Sequence, residues 1–210
     1  MQLLGILEIK SKERIKEFLN SESTGRVASI DKNGFPQIIP MNFVFLNDVI
    51  YMHSHIRGEK LENITRNEKV GFEVDRNLEF LPSYFSDPKD ASLADTLYIS
   101  VVVKGKGIIV TDNDEKTLAL NELMIKYQPE GGYEPINPQM DVLNEVAVIK
   151  IVPDSIKGKY KIGQNLKNDA KIELAKKIFE RNSSTSRKTL ETMGFSISEN
   201  GISLEKDVKW

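Results

Sequence analysis

Two neighbouring pieces, Pro36-Gln-Ile-Ile-Pro-Met-Asn-Phe-Val-Phe45 and His53-Ser-His-Ile-Arg-Gly-Glu-Lys60, decide how this chain reads. The first is rich in β-formers. In the second, the period-2 pattern of Val49–Ser54 gives way to the helical pattern of Glu59–Arg66. Val49, Tyr51 and His53 fall on one strand face, Ile50, Met52 and Ser54 on the other. The junction collects a hydroxyl (Ser54), a glycine (Gly58) and two cations (Arg57 and Lys60) at the start of a helix. A helix N-terminus is already positive, so cations there are mildly unfavourable unless an anion joins them. The spacing therefore points to an anion, most plausibly a phosphate, although Glu59 and Glu62 also answer the helix dipole, as on an ordinary surface helix.

Outward from this junction the chain reads as a β-meander. Ser11 caps a helix over Lys12–Leu19, with Ile15, Phe18 and Leu19 on one face. Arg26–Ile30 and Phe35–Phe45 are strands joined by Asp31-Lys-Asn-Gly34, and Asn47-Asp48 turns into the next strand. Strand Lys69–Asp75 follows the Glu59–Arg66 helix. A short helix over Pro88–Ala94, a long strand pair or bent strand over Thr96–Val110 with Gly105 and Gly107 at the bend, a helix ending near Tyr127 and a strand Val146–Val152 complete the unit. Mostly sequential strands with few helices predict a mainly β, α+β fold: an antiparallel barrel or sandwich with peripheral helices.

The chain has 210 residues, 40% hydrophobic and 29% charged, enough for one ordinary core. It has no cysteine, which removes disulfides, thiolate catalysis and cysteine-based metal sites. The first ten residues are too short an apolar run, broken by Glu8, for a signal peptide, and nothing later resembles a membrane span. A soluble, cytoplasmic protein is expected. Net charge is −2, yet residues 155–190 hold ten Lys or Arg against three acids. Helices over Asp169–Arg181 and Arg187–Met193, a flexible Ser183–Ser186 between them, and a final hairpin turning at Asn200-Gly201 are expected there. The boundaries are 1–155 for the barrel and 156–210 for the extension. The basic extension lacks the interleaved aromatics of a single-strand binder and the turn glycine of a helix-turn-helix, so a solvated face is preferred over nucleic acid.

His53 and His55 are the only histidines. At i and i+2 they share a strand face, a geometry usable by zinc or copper, but no carboxylate is marked out as a further ligand. Ligand hydrogen bonding or packing is preferred, with no metal. Asn42, on an otherwise apolar strand, either pairs a backbone edge or meets a polar ring ligand.

Gly25–Phe45, Ile50–His55, Gly58–Asn63 and Val70–Val74, with Tyr98–Gly107 and the Leu118–Tyr127 helix, resemble the pyridoxamine 5'-phosphate oxidase-like FMN-binding split barrels, nearest their nitroimidazole-resistance branch. The resemblance covers about residues 10–155. It implies a split β-barrel homodimer with FMN at the subunit interface. Met41, Asn42 and Phe43 would pass the isoalloxazine and ribityl, and His53, Ser54 and His55 would line the cofactor. Ser54 and Lys60 would reach its phosphate, with Arg57 close by. Lys161-Ile-Gly-Gln-Asn165 resembles a motif of flavin-binding regulators in the same superfamily, so Lys161, Gln164 and Asn165 could cross to the partner's flavin. The substrate-phosphate residues of true pyridoxamine phosphate oxidases are not recognisable. The implied function is a flavin-dependent oxidoreductase acting on a small molecule such as a nitro compound or quinone. Its electron donor would be a transiently bound nicotinamide nucleotide, since no Gly-x-Gly-x-x-Gly loop is present. A flavin-sensing regulator and a flavin or haem carrier without turnover are the alternatives.

Overall fold

A computed structural model describes residues 5–198 and 201–205. Its strands are β1 (Glu8–Ile9), β2 (Gly25–Ile30), β3 (Pro36–Met41), β4 (Val44–Leu46), β5 (Val49–His55), β6 (Lys69–Leu81), β7 (Asp95–Val110), β8 (Val146–Lys161), β9 (Phe195–Ser198) and β10 (Gly201–Leu204). The α-helices are α1 (Lys12–Ser21), α2 (Glu59–Arg66), α3 (Asn113–Tyr127), α4 (Asn168–Arg181) and α5 (Ser186–Met193). One sheet runs β3-β2-β6-β7-β8-β5-β4, with β1 added beside β8, while β9 and β10 form a separate hairpin. The mainly antiparallel split-barrel α+β architecture expected from the sequence is the one found.

The chain packs as two compact units. The first comprises 12–74 and 101–157. Here β2 and β3 pair from Gly25↔Met41 to Ile30↔Pro36, closed by the expected turn: Gly34 takes φ +89°, and the Asp31 carboxylate accepts from the Asn33 and Phe35 N–H groups. Asn47 and Asp48 both adopt positive φ, as a tight two-residue hairpin requires. The expected single strand Phe35–Phe45 is instead two. β3 pairs with β2, whereas β4 pairs with β5, and the chain changes partner at Asn42-Phe43. Tyr127 from α3 makes that change possible. Its hydroxyl accepts the Phe43 N–H at 2.9 Å and lies 2.5 Å from the Ser23 carbonyl and 3.0 Å from that of Phe43. Backbone groups that leave a ladder inside a core need such a partner. Tyr127→Phe is expected to lower stability by about 1–3 kcal/mol through the orphaned groups. Urea denaturation checks this, and an unchanged midpoint would show that water replaces the hydroxyl freely.

Gly105 and Gly107 do not break β7, which is continuous. A Cβ at Gly105 would lie 2.3 Å from the Val152 carbonyl oxygen, and one at Gly107 3.0 Å from Val70. The glycines mark close approach, not a bend. The α3 face carrying Ala119, Leu120 and Leu123 packs against Val44, Tyr51, Val110 and Val148.

The second unit contains residues 5–11, 75–100 and 158–205. The strand expected to stop at Asp75 continues to Leu81. The expected helix over Pro88–Ala94 is reduced to a 3-10 turn at Ala91–Leu93, capped by the Asp90 side chain, and a separate 3-10 turn at Ser83–Phe85 precedes it. The strand expected to end at Val152 runs on to Lys161, and β1 pairs with its last residues. The Ser183–Ser186 segment, expected to be flexible, is pinned. Glu79 is buried, and its carboxylate accepts from Arg181 Nη1 (2.9 Å), Ser183 Oγ (2.8 Å) and Thr185 Oγ1 (2.8 Å). A buried carboxylate needs this many donors, so the hydroxyl-rich loop is ordered by what it must solvate. In the hairpin Phe195 pairs with Leu204, while Asn200 of the expected turn lies outside the described residues.

Candidate functional site around β5 and the start of α2

The sequence-nominated residues from Met41 to Lys60 all lie in the first unit. Met41 ends β3 opposite Gly25, Asn42 is exposed in the strand exchange, and Phe43 is buried with its ring edge-on to Phe72 at 5.1 Å. On β5, His53 stands opposite Val148, Ser54 opposite Ala147 and His55 opposite Val146. Val44 pairs with Tyr51, so the strand exchange at Asn42-Phe43 lies just before β4 and His53 two residues beyond its partner on β5.

β5 is held from its other face neighbours. Tyr51 donates to Glu115 Oε1 at 2.9 Å, and Lys150, paired with Tyr51 across the ladder, bonds the same carboxylate at 2.8 Å. Burial first and Glu115 second push the Tyr51 hydroxyl up to about 12, so it stays a donor. At the strand end Ser54 Oγ donates to the His55 carbonyl, and His55 Nδ1 accepts the Arg57 N–H at 3.1 Å. This curls the backbone into Gly58, which starts α2 at φ +150° with nothing near the place a Cβ would occupy.

No side chain caps α2. Among the described residues the backbone N–H groups of Glu59 and Lys60 have no acceptor; those of Leu61 and Glu62 turn back to the Gly58 carbonyl. The Glu59 carboxylate is drawn aside by Gln37 Nε2. Gln37 Oε1 in turn accepts from buried Asn63, whose own carbonyl takes Arg66 at 2.6 Å. That polar relay ties α2 to β3. Sequence reading missed Gln37 and Asn63; the available signal was a polar residue on the buried face of a strongly amphipathic helix. His53 is held below its ordinary pKa, first by partial desolvation and then by the Lys60 charge. Both causes favour the neutral imidazole, which feels the Lys60 cation. Among the described residues no group of three or more metal-ligating side chains gathers.

A further unpredicted group is Lys126 of α3. Its ammonium lies 3.9 Å from the centre of the Phe43 ring and donates to the Leu19 carbonyl at 3.2 Å. Desolvation brings its pKa down to about 8 despite Glu22. The unfolded chain therefore binds the proton more tightly, so the cost of holding the charge is full below about pH 8, fades as pH rises from there, and is gone above the unfolded value. Lys126→Met is expected to be more stable at pH 7 by about 1–2 kcal/mol, after the lost ring contact and hydrogen bond are discounted. The gap should close towards pH 10.5. Urea midpoints across that range check it, and a gap that does not narrow refutes the assignment.

Lys161, Gln164 and Asn165 lie in the second unit. Lys161 pairs with Asp95 at 2.5 Å. Gln164 is fully used within its own turn and neighbours: Oε1 accepts the Ile162 N–H, and Nε2 donates to the carbonyls of Tyr160 and Ile6. Asn165 is exposed.

The antiparallel split barrel has counterparts. Residues 11–160 match the family model described as pyridoxamine 5'-phosphate oxidase. The chain belongs to that family. Pyridoxamine 5'-phosphate oxidase-family similarity extends to solved structures. One is a proposed 5-nitroimidazole antibiotic resistance protein of Bacteroides thetaiotaomicron, 26% identical, TM-score 0.62, covering 73% of this chain and 86% of that one. The flavocytochrome Anf3 of Azotobacter vinelandii is 18% identical at TM-score 0.65, over 77% of this chain and 72% of that one. An FAD- and heme-binding protein of Mycobacterium smegmatis is 16% identical at TM-score 0.64, over 79% and 78%. At such identities the last two share the fold. No curated protein matches the sequence. Among the described residues no helix is long and apolar enough to cross a membrane.

Proposed function

We propose that this chain is an FMN-binding oxidoreductase that works as a homodimer on a small acceptor such as a nitro compound or quinone. The observation that carries the reading is the uncapped start of α2. Two free backbone N–H groups, a glycine with open space above it and the Lys60 and Arg57 cations form the donor set a phosphomonoester needs. The residues present therefore fit the group the family implies. Lys60 would pair with the phosphate, Arg57 and Ser54 would flank it, and neutral His53 with His55 would face the flavin. The strand exchange at Met41-Asn42-Phe43 would offer backbone groups to the ring, and Lys161, Gln164 and Asn165 would approach from a partner subunit. When bound, the flavin supplies the redox chemistry, with a nicotinamide nucleotide as transient donor; the protein orients it and tunes its surroundings.

A second copy has a surface to cover. On the outer face of the β2–β3 hairpin Ile38 is 62% exposed, Phe35 68% and Ile30 38%, with Pro36 and Pro40 between them. An apolar stripe of this kind marks an interaction surface.

The test is a visible absorption spectrum of the purified protein, repeated after adding FMN and removing the excess by gel filtration. About one flavin retained per chain, with the protein eluting as a dimer, is the expected result. A protein that retains no flavin overturns the reading.

A further inference from the structure

The second unit contains a cleft of about 340 Å³ that shares Lys161 and Asn165 with the flavoprotein reading and whose apolar walls that reading does not use. Its walls are Leu81, Phe85, Leu93, Leu97, Leu166 and Leu174. Of these, Leu97 is buried, while Leu93 and Leu166 remain 44% and 37% exposed. The cleft also holds four charges, and they cancel in pairs. Lys161 bonds Asp95 at 2.5 Å. Lys177 bonds Glu173 at 2.8 Å and donates to the Phe85 carbonyl at 2.5 Å. With both pairs made, the cleft offers no unpaired charge to draw in a phosphate, a carboxylate or an organic cation. An uncharged body that covers the leucines displaces water without touching either pair. The wall from Lys161 to Lys177 also lies beyond the residues that match the family.

We propose that this cleft binds a neutral, largely apolar molecule the size of one or two rings. A quinone or nitroarene is of that class and is the acceptor class proposed above, and Lys161 and Asn165 border the cleft. The binding itself rests on the cleft's own walls and not on the flavin.

The experiment is calorimetric titration of the full chain with naphthoquinone and, separately, with naphthoquinone sulfonate. The chain has no cysteine, so thiol addition does not confuse the result. The neutral quinone is expected to bind at least about tenfold more tightly than its sulfonate. Ala170→Phe, at an exposed α4 position lining the cleft, should weaken the quinone by about tenfold or more, whereas Lys176→Ala, exposed on the same helix outside the cleft, should not. Equal or tighter sulfonate binding, indifference to Ala170→Phe, or no quinone binding up to about 1 mM would each overturn the proposal. FMN retention by the same samples reports separately on the flavin reading.

Discussion

Glu79→Ala is expected to destabilise the unit containing 158–205 by about 3–5 kcal/mol, the range for removing one member of a buried charge network. The carboxylate is 2% exposed. Without it, Arg181 loses its acidic partner and Ser183 and Thr185 lose their acceptor in one step. Glu79→Gln should cost less, because an amide oxygen can still accept from the hydroxyls while the charge on Arg181 goes unanswered. Chemical denaturation gives the size of the effect. Limited proteolysis gives its place, with cleavage appearing between Arg181 and Ser186. Resistance to protease and an unshifted midpoint in Glu79→Ala would mean that the loop is held by other contacts.

Lys60→Glu is expected to weaken FMN binding by well over tenfold. Replacing a phosphate-paired cation by an anion costs on the order of 2–4 kcal/mol, or about thirty- to a thousand-fold in affinity. The fold should survive, since Lys60 makes no hydrogen bond or ion pair among the described residues. A useful companion is the His53 titration. Lys60 is the second cause of its lowered pKa, after desolvation, so Lys60→Glu should raise that pKa as well. Flavin titration and NMR together separate the outcomes. A raised His53 pKa with undiminished flavin affinity would move the phosphate elsewhere while leaving the local geometry intact.

The junction between β5 and α2 was legible because three independent signals coincide there: the change of hydrophobic period, a glycine, and cations where the helix dipole disfavours them. The hairpin at Asp31–Gly34 was legible from turn chemistry alone. What escaped has a common cause. The division of Phe35–Phe45 into β3 and β4 depends on a hydroxyl from Tyr127, far along the chain. The order in Ser183–Ser186 depends on Glu79, equally remote. A serine-rich run reads as a linker until the carboxylate that it solvates is known. Gly105 and Gly107 gave a true signal with two meanings, and only the Val152 carbonyl beneath Gly105 distinguishes close approach from a bend. β8, expected to end at Val152, continues through Pro153, because the loss of one donor does not stop the strand.

The order of synthesis gives the β5–β8 pairing a consequence for how the protein is made. The strand that carries His53 and Ser54 leaves the ribosome early, but its ladder partners, Val148 and Ala147, follow roughly a hundred residues later. Until then one edge of the strand is open to any passing chain. Co-translational maturation should therefore be slow and chaperone-dependent, and the proposed flavin pocket should become competent only near the end of translation.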